Sequence, residues 1–332
     1  MIKKDDIQNI LRTLDLEVWG VVTESKPKSL ERFKAWIKDG LHGALGYLAD
    51  ERAIKREDLK NYYPDIKSTL VIAFDYSHIA RSAKKFYESG ESNGLKIANY
   101  VVGFKGRDYH YEVRDKLQAI GEELQKLDPE LDFKFSLDTQ PILERDFAYQ
   151  SGLGWYGKNS MLINRHIGSY FIIGSLLLNK EVEAPSDKFE TDHCGQCTRC
   201  GDACPTGAID IDKRTIIADK CISTFTIEHF KEVFPPSGIE NANGEIFGCD
   251  ICQDVCPWNR RLERKLEADS TAFKENGKQF IDFFLMRPLE DIFCDLEEMS
   301  NREYRRIFKG TPLERTGRVG MLKNLRLYLK LK

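Results

Sequence analysis

The chain contains 332 residues, of which 41% are hydrophobic and 31% charged, and its formal net charge at pH 7 is −3. This length suffices for the cores of two domains, and so small a net charge does not indicate a nucleic-acid partner. No apolar run approaches the ~20 residues that a membrane-spanning helix needs, and no apolar segment of the signal-peptide type follows Met1. The composition therefore predicts a soluble, cytoplasmic protein that does not bind membranes.

Helices and strands are predicted to alternate in the first part of the chain. Apolar residues recur at helical spacing in some segments and form short buried runs in others. This alternation indicates an α/β domain over residues 1–180. The predicted helices are 3–14, 29–37, 108–127 and 142–150, and the predicted strands are 18–23, 68–76 and 133–138, with a hairpin over 161–173 and a polar surface loop over 82–93.

The rest of the chain is predicted to form two further units. Residues 180–192 are charged and interrupted by a proline, which is typical of a linker. A cysteine-rich domain is predicted over residues 181–265 and a helical, basic segment over residues 266–332. From Arg302 to Lys332 there are ten Lys and Arg residues against two Glu residues. This segment is a candidate for binding phosphates, although a solvated helix face has the same composition.

Eight of the nine cysteines follow a pattern typical of iron–sulfur proteins. Residues 194–205 read C-x2-C-x2-C-x3-C-P, and residues 249–257 read C-x2-C-x3-C-P, which lacks one leading cysteine that Cys221 can replace. In such runs the last cysteine ligates the neighbouring cluster, so the pattern predicts two adjacent [4Fe–4S] clusters, joined in a ferredoxin-like α+β domain. One cluster is assigned Cys194, Cys197, Cys200 and Cys256, and the other Cys204, Cys221, Cys249 and Cys252.

Structural zinc and disulfides are the alternative interpretations of these cysteines. Zinc sites usually pair two C-x2-C motifs across a spacer, and the C-x3-C-P endings do not match that pattern. Disulfides form in oxidising compartments, which a chain without a predicted signal peptide is not expected to enter. The ninth cysteine, Cys294, lies in an apolar helical pattern and is predicted to be a small core residue.

Outside the cysteines, no stretch carries a flavin, nicotinamide or cobalamin fingerprint. The cobalamin loop D-x-H-x-x-G is absent because Asp108-Tyr109-His110 is not followed by the glycine. Two clusters behind an α/β domain nevertheless suggest a reducing active site with a cofactor that accumulates electrons. The glycines of residues 152–159 would let the backbone lie against a flat ligand, but a tight turn around core aromatics is the favoured interpretation.

Several polar residues have an ordinary structural interpretation. On spacing alone, Asp138 is predicted to cap the helix that follows it. Glu144 and Arg145 are predicted to form an ion pair with each other. His110 and His166 are predicted to be satisfied histidines rather than ligands.

Four stretches of the chain resemble the epoxyqueuosine reductase family, whose members catalyse the last step of queuosine formation in tRNA. The resemblance extends from about Arg56 to the C-terminal segment and is closest to the short form, which lacks a C-terminal HEAT-repeat extension. It departs from the family at Gln140, where a small residue is usual, and at residues 104–106, which resemble a small insertion. The four stretches, in family order, are residues 138–145, 152–159, 221–228 and 248–259.

The resemblance implies a cobalamin that is bound base-off between the first domain and the two [4Fe–4S] clusters. It also implies that Asp138 is the proton donor, with the electrons passing from the clusters to the cobalamin. Residue by residue, the implied cobalamin contacts are Arg56, Asp138, Leu162, Asn164, Ile173 and Ser223.

Reduction of an epoxide to an alkene requires two electrons, and the oxygen leaves more easily once it is protonated. The acid must be neutral near pH 7, so the pKa of Asp138 is expected to be raised by burial beside the corrin. The implied partners are a tRNA anticodon stem-loop, whose bases can be splayed out, and a low-potential electron donor such as flavodoxin or ferredoxin. Residues 302–332, Arg260 and Arg261 could hold the RNA phosphates, and the protein is expected to be a monomer.

Two other functions remain as alternatives. One is a reductive-dehalogenase-like reductase of a small molecule, which would also use cobalamin and iron–sulfur clusters. The basic C-terminal segment argues against it. The other is a non-catalytic ferredoxin-type electron carrier, which would need no cobalamin and would tolerate Asp138→Asn.

Overall fold

The computed structural model describes residues 1–183, 189–230, 233–263 and 271–329. In these ranges no helix is long and apolar enough to cross a membrane. Three predictions fall partly outside the described residues: linker residues 184–188, the domain boundary at 265/266, and Lys330 and Lys332 of the basic segment.

The described residues form short strands and many helices. The strands are β1 (Trp19–Val22), β2 (Ser68–Asp75), β3 (Lys96–Ile97), β4 (Phe133–Ser136), β5 (Trp155–Tyr156), β6 (Leu162–Ile163), β7 (Phe171–Leu178), β8 (Ile209–Asp210), β9 (Thr215–Ile216) and β10 (Glu245–Phe247). The helices are α1 (Lys4–Arg12), α2 (Leu30–Lys38), α3 (Ser77–Glu88), α4 (Tyr100–Gly103), α5 (Tyr109–Leu127), α6 (Glu144–Gln150), α7 (Arg199–Asp202), α8 (Ile222–Ile227), α9 (Ile251–Asp254), α10 (Pro257–Glu263), α11 (Ala272–Asn276), α12 (Lys278–Phe284), α13 (Leu289–Glu298), α14 (Asn301–Ile307) and α15 (Leu313–Leu329).

A four-stranded sheet in the order β1-β2-β7-β4 forms the centre of the first domain. All of its pairings are antiparallel. Successive side chains of β2 point to opposite faces, and both faces are covered: Leu70 and Ile72 pack with α1 and α5, whereas Val71 and Ala73 pack with α6. The mixed helix and strand content that the sequence predicts is present.

Several local predictions are wrong. The strands of the hairpin predicted over 161–173 do not pair with each other, because β6 pairs with β5 whereas β7 pairs with β2 and β4. Residues 82–93 were expected to be a polar surface loop, but most of them continue α3, in which Ala83 and Phe86 are buried. The apolar residues of this helix recur at helical spacing between polar ones, so composition hides the pattern. Cys294 is exposed rather than in the core, because α13 buries its opposite face, with Ile292 and Leu296.

The C-terminal segment is packed into the protein. Residues of α11 to α15 share the largest apolar core with α3, α4 and β10. Helix α15 contains one residue outside helical geometry, Gly317, with φ 65° and ψ 176°. After that break, Lys323 and Asn324 are buried against the end of α8, where Asn324 donates to the carbonyl of Thr226 at 2.8 Å and Lys323 donates to that of Phe225.

Candidate active site

Asp138 lies in the loop between β4 and α6, with a left-handed backbone conformation (φ 40°). Its backbone N–H donates to Oε1 of Glu144 at 2.7 Å, and the hydroxyl of Ser136 donates to the same oxygen at 2.5 Å. The N-cap residue of α6 is Leu143, and no side chain caps the helix. The prediction that Asp138 caps this helix is therefore wrong, because its carboxylate points towards α5.

The carboxylate of Asp138 is held by two residues at the start of α5. Nε2 of His110 lies 2.8 Å from Oδ1, and the hydroxyl of Tyr109 donates to Oδ2. Nδ1 of His110 lies 2.6 Å from Oδ1 of Asp108, the N-cap residue of α5. Burial lowers the pKa of His110, but the hydrogen bonds to Asp108 and Asp138 outweigh it and raise the pKa to about 9.

His110 is therefore a protonated imidazolium at pH 7, hydrogen-bonded to two carboxylates. Both ring nitrogens have partners, as predicted for a satisfied histidine, but the prediction did not include the contact of His110 with Asp138 or that of Tyr109. The Asp-x-His spacing at a helix start was the available signal, because it places the ring beside the N-cap carboxylate. The side chain of Asp138 is 47% exposed, so the protein itself does not supply the burial that the sequence argument required.

Several other groups face the same region as Asp138. The pKa of the Tyr47 hydroxyl is raised by burial, and the charges of Asp138, Arg315 and Arg56 all act on it. Arg315 forms an ion pair with Glu228 at 2.7 Å. These residues come from distant parts of the chain, and the action of their charges on Tyr47 places them near one another.

Among the residues predicted to contact the cofactor, Arg56 has a buried hydrogen-bond donor without a partner in the described part of the chain. It is 7% exposed, and its Nη1 has no hydrogen-bond partner among the described residues. Burial lowers its pKa, and the nearby charge of Arg52 lowers it further. A buried donor without a partner is costly, so this atom indicates an acceptor from a bound group.

The other residues predicted to contact the cofactor differ in the contacts that they already make within the protein. Leu162 and Ile173 pack in the core beneath the sheet. Asn164 holds a turn, since its Nδ2 donates to Leu153 O at 2.6 Å and its Oδ1 accepts from His166 N at 2.7 Å. Ser223 is half-buried in α8, two residues after Cys221. That these four residues contact a cofactor stays a prediction.

Glu144 and Arg145 do not form the predicted ion pair. Consecutive residues of a helix point in different directions. Arg145 donates to the carbonyl and hydroxyl of Ser160, whereas Glu144 accepts from Ser136 and Asp138. Desolvation raises the pKa of Glu144 to about 8.

The segment of residues 152–159 is a tight turn around core aromatics, as the favoured interpretation had it. Trp155 is 1% exposed, and its ring lies 5.0 Å from that of Trp258. A Cβ at Gly154 would lie 2.2 Å from the carbonyl oxygen of Ile163, so only glycine fits there. Asn159 of the same turn donates to Cys252 O at 3.4 Å, which joins the turn to the cysteine-rich domain.

All nine cysteines are free thiols, and eight of them act on one another in two groups. Burial, and then the thiolates of Cys194 and Cys256, raise the pKa of Cys200 to about 11. Burial raises the pKa of Cys256, and Cys194 and Cys197 add to the rise.

The second group is built in the same way. Burial raises the pKa of Cys249, and the charge of Glu245 and then the thiolates of Cys252 and Cys221 add to the rise. Cys252 is influenced by Cys221 and Cys204, and also by Cys200 of the first group. Most of these interactions are between members of one predicted set, and the interaction of Cys200 with Cys252 brings the two sets next to each other. The assignment of the cysteines to two clusters stays a prediction. In the described ranges, no three His, Cys, Asp or Glu side chains converge on a single ion position; in a four-iron cluster each thiolate binds a different iron.

Comparisons with known proteins agree with this geometry. Residues 56–139 match the family model of epoxyqueuosine reductase QueG, and residues 193–259 match that of a 4Fe-4S double cluster binding domain. The epoxyqueuosine reductase of Cyclobacterium marinum is 36% identical over 297 residues, which cover 89% of this chain and 86% of that protein.

Solved structures show the same fold. An epoxyqueuosine reductase with an epoxyqueuosine-modified tRNA-Tyr stem-loop has a TM-score of 0.75 at 24% identity, covering 98% of this chain and 80% of that one. The Bacillus subtilis enzyme, with the loop of its catalytic aspartate swung out of the active site, has a TM-score of 0.71 at 25% identity, again covering 98% of this chain and 80% of that one.

Proposed function

Because this chain belongs to the epoxyqueuosine reductase family, we propose that it reduces epoxyqueuosine to queuosine at the wobble position of tRNA. The net reaction takes up two electrons and two protons, breaks the two epoxide C–O bonds and releases water. The observation that carries the proposal is the Asp108–His110–Asp138 chain, which places a proton source at Asp138, a residue whose charge acts on Tyr47 together with those of Arg56 and Arg315.

The described residues would handle the protons. At pH 7 His110 carries a proton, since its pKa is about 9. The Asp138 carboxylate would take up that proton and deliver it to the departing oxygen, while Tyr109 and His110 fix the direction of its side chain. The side chain of Asp138 is 47% exposed, so a bound ligand can contact its carboxyl group.

The residues near Asp138 and Arg56 also fit a cobalamin, a broad macrocycle whose edge carries amide groups. The unpartnered Nη1 of Arg56 can donate to such an amide carbonyl. Tyr47 and Ile54, in the same stretch of the chain as Arg56, are 41% and 63% exposed, so apolar surface remains to be covered there. When bound, cobalamin and the two [4Fe–4S] clusters supply the electrons. Arg56, Asp138 and Ser223 would hold the corrin from the polar side, with Leu162, Asn164 and Ile173 lining it.

The cysteine-rich domain supports the electron supply. Residues 193–259 belong to the double-cluster family model, and the two cysteine groups adjoin through Cys200 and Cys252. We assign Cys194, Cys197, Cys200 and Cys256 to the first cluster, and the second cluster takes the other four cysteines.

The substrate would approach from the side of Arg315. This residue acts on Tyr47 and Tyr109 beside Asp138, and its side chain is 47% exposed. An anticodon loop offers unpaired bases that can be turned outwards. A guanidinium at the entrance can then contact an RNA phosphate.

A direct test uses the protein purified without oxygen, with iron, sulfide and cobalamin content measured. Incubation with an epoxyqueuosine-containing tRNA stem-loop and a low-potential reductant should give queuosine, detected by mass spectrometry as the loss of one oxygen. A control stem-loop that already carries queuosine should not change. Fully loaded protein that binds the stem-loop and leaves the epoxide intact would contradict the proposal, and so would equal turnover by a ferredoxin alone.

A further inference from the structure

The proposed reaction needs two electrons from outside the protein, and they must enter near one of the two cysteine groups. Electron transfer slows steeply with distance, so the group closer to the surface is the point of entry. The donor has to be a low-potential carrier that gives up one electron at a time. Such a donor must bind a surface of this chain that lies close to the point of entry.

Three members of the first cysteine group, Cys194, Cys197 and Cys200, lie in an exposed run of the chain, although the fourth, Cys256, is buried. Between Cys194 and Cys200 the chain exposes Gly195, Gln196, Thr198 and Arg199. Around Cys249 and Cys252, by contrast, Gly248, Ile251 and Gln253 are buried. Electrons would therefore enter at the first group and continue through Cys200 and Cys252 to the second.

Four cationic residues surround the first group, and we call them the cationic rim: Lys158, Arg199, Arg260 and Arg261. Lys158 donates to Gly195 O at 2.8 Å, directly beside Cys194. Arg199 is exposed at the start of α7, between two cysteines. Arg260 and Arg261 are exposed on α10, which begins after Cys256.

The cationic rim keeps a surplus of positive charge. Among the described residues, none of its four members forms an ion pair with a carboxylate, whereas nearby Arg214 and Arg165 are paired with Asp192 and Glu190. The carboxylates of Asp202 and Asp254 lie in α7 and α9. They accept hydrogen bonds from Thr198 and Tyr170 respectively.

An aromatic residue connects this surface to the cysteines. The guanidinium of Arg261 lies over the ring of Trp258, at 5.8 Å. Trp258 packs in one apolar cluster with Cys194 and Cys256, and its Nε1 donates to His193 O at 3.4 Å. A protein that rests on Arg261 is therefore separated from the first group by a single indole.

The cationic rim is also separate from the substrate side. Cys221 of the second group begins α8, and that helix ends next to Glu228, the partner of Arg315. Helix α8 thus connects the second group to Glu228 and Arg315, whose charge acts on Tyr109 beside Asp138. An electron donor and an RNA could then be bound at the same time.

We propose that the cationic rim is the docking surface of a small acidic protein that carries one-electron equivalents. This deepens the proposed function, on which it rests, and it reassigns Arg260 and Arg261, which the sequence had suggested as phosphate contacts. Each encounter oxidises the donor by one electron and reduces the pair of clusters by one. Two encounters supply the two electrons that the epoxide consumes.

The test follows cluster reduction in the holoprotein by stopped-flow absorbance, with reduced flavodoxin as the acidic probe and no tRNA present. The double variant Arg260→Glu/Arg261→Glu should lower the second-order rate constant at low ionic strength by roughly tenfold or more and flatten its salt dependence. The dissociation constant of the complex between flavodoxin and this double variant should rise in parallel. Arg302→Glu/Arg305→Glu on α14, with the same charge change at exposed positions, is the matched control and should leave both values unchanged.

Two further measurements distinguish an effect on flavodoxin docking from a loss of the clusters. Iron and sulfide content must match the unsubstituted protein, and reduction by photoreduced 5-deazariboflavin, a small uncharged reductant, must keep its rate. If the double variant loses iron or sulfide, the single variant Arg261→Glu, in α10, provides the same test. Because the assay contains no RNA, it reports on docking even if the protein does not reduce epoxyqueuosine.

An unchanged flavodoxin rate and salt dependence in the fully loaded double variant would overturn the proposal. So would a variant that keeps the flavodoxin rate and instead loses affinity for the tRNA stem-loop, since the surface would then be an RNA contact.

Discussion

Nε2 of His110 lies 2.8 Å from Oδ1 of Asp138, although 28 residues separate the two in the chain. The pair joins the start of α5 to the loop before α6. Because the pKa of His110 is about 9, a proton is available in this pair throughout the neutral range. The predicted acid is thus part of a pair rather than a single carboxyl group.

Replacing His110 by Gln should lower the turnover number about a hundredfold, the lower end of what a positioned acid contributes. In the unsubstituted protein the group is protonated below pH 9, so turnover should fall as the pH rises through about 9. The variant should lack this fall. The pH profile of turnover at saturating stem-loop is the measurement, and His166→Gln is the control. An unchanged alkaline limb in the His110 variant would remove this residue from the proton path.

The same shift predicts how stability depends on pH. His110 has a higher pKa in the folded protein than its ordinary value of 6.5. Its contribution is therefore fully present below pH 6.5 and is lost as the pH rises through about 9. Urea midpoints of the unsubstituted protein and the Gln variant should converge at high pH; a constant difference would argue against the pairing.

Asp138→Asn should abolish turnover while cofactor loading remains. The amide has nearly the same shape and can still bond to Tyr109 and His110, but it cannot donate a carboxylic proton. We expect at least about a hundredfold loss of turnover, with iron, sulfide and cobalt contents unchanged. Turnover at the normal rate would reject Asp138 as the acid.

Glu144→Gln should change the pH dependence of stability. The pKa of Glu144 rises from 4.5 to about 8 on folding. The folded state therefore binds more protons between these values, and stability falls as the pH rises from about 4.5 to 8. The variant keeps an oxygen acceptor for Ser136 and Asp138 but cannot ionise, so its unfolding midpoint should fall less over this interval. Parallel midpoint curves for the two proteins would show that Glu144 ionises normally.

Arg315→Glu should weaken binding of the tRNA stem-loop and reduce the salt dependence of binding by about one phosphate contact. Arg318, three residues later, serves as a contrast because it donates to Leu296 O at 2.8 Å and to Asn301. Arg318→Gln should lower the melting temperature with little change in the salt slope. Binding titrations at several salt concentrations separate the two effects. An Arg315 variant with the same slope as the unsubstituted protein would remove this residue from the RNA interface.

The sequence was most informative where the chemistry depends on local spacing. The cysteine runs are short motifs, and strands such as β2 are continuous apolar runs. The partners of Asp138 could not be obtained in this way, because Tyr109 and His110 reach it only after α5 and β4 are brought together by the sheet. Glu144 shows the same limit, since adjacency in sequence suggested Arg145 and the fold supplied Ser136 and a backbone N–H instead.

The break at Gly317 separates two tasks within α15. Before it, Arg315 faces Glu228 and the substrate side; after it, Lys323 and Asn324 hold the end of α8. A Cβ at this position would meet no atom within 4 Å, yet φ is +65°. The constraint here is torsional and not steric. The direction of the Arg315 guanidinium therefore depends on a backbone conformation that favours glycine. Any side chain at position 317 would strain that conformation, even though there is room for it.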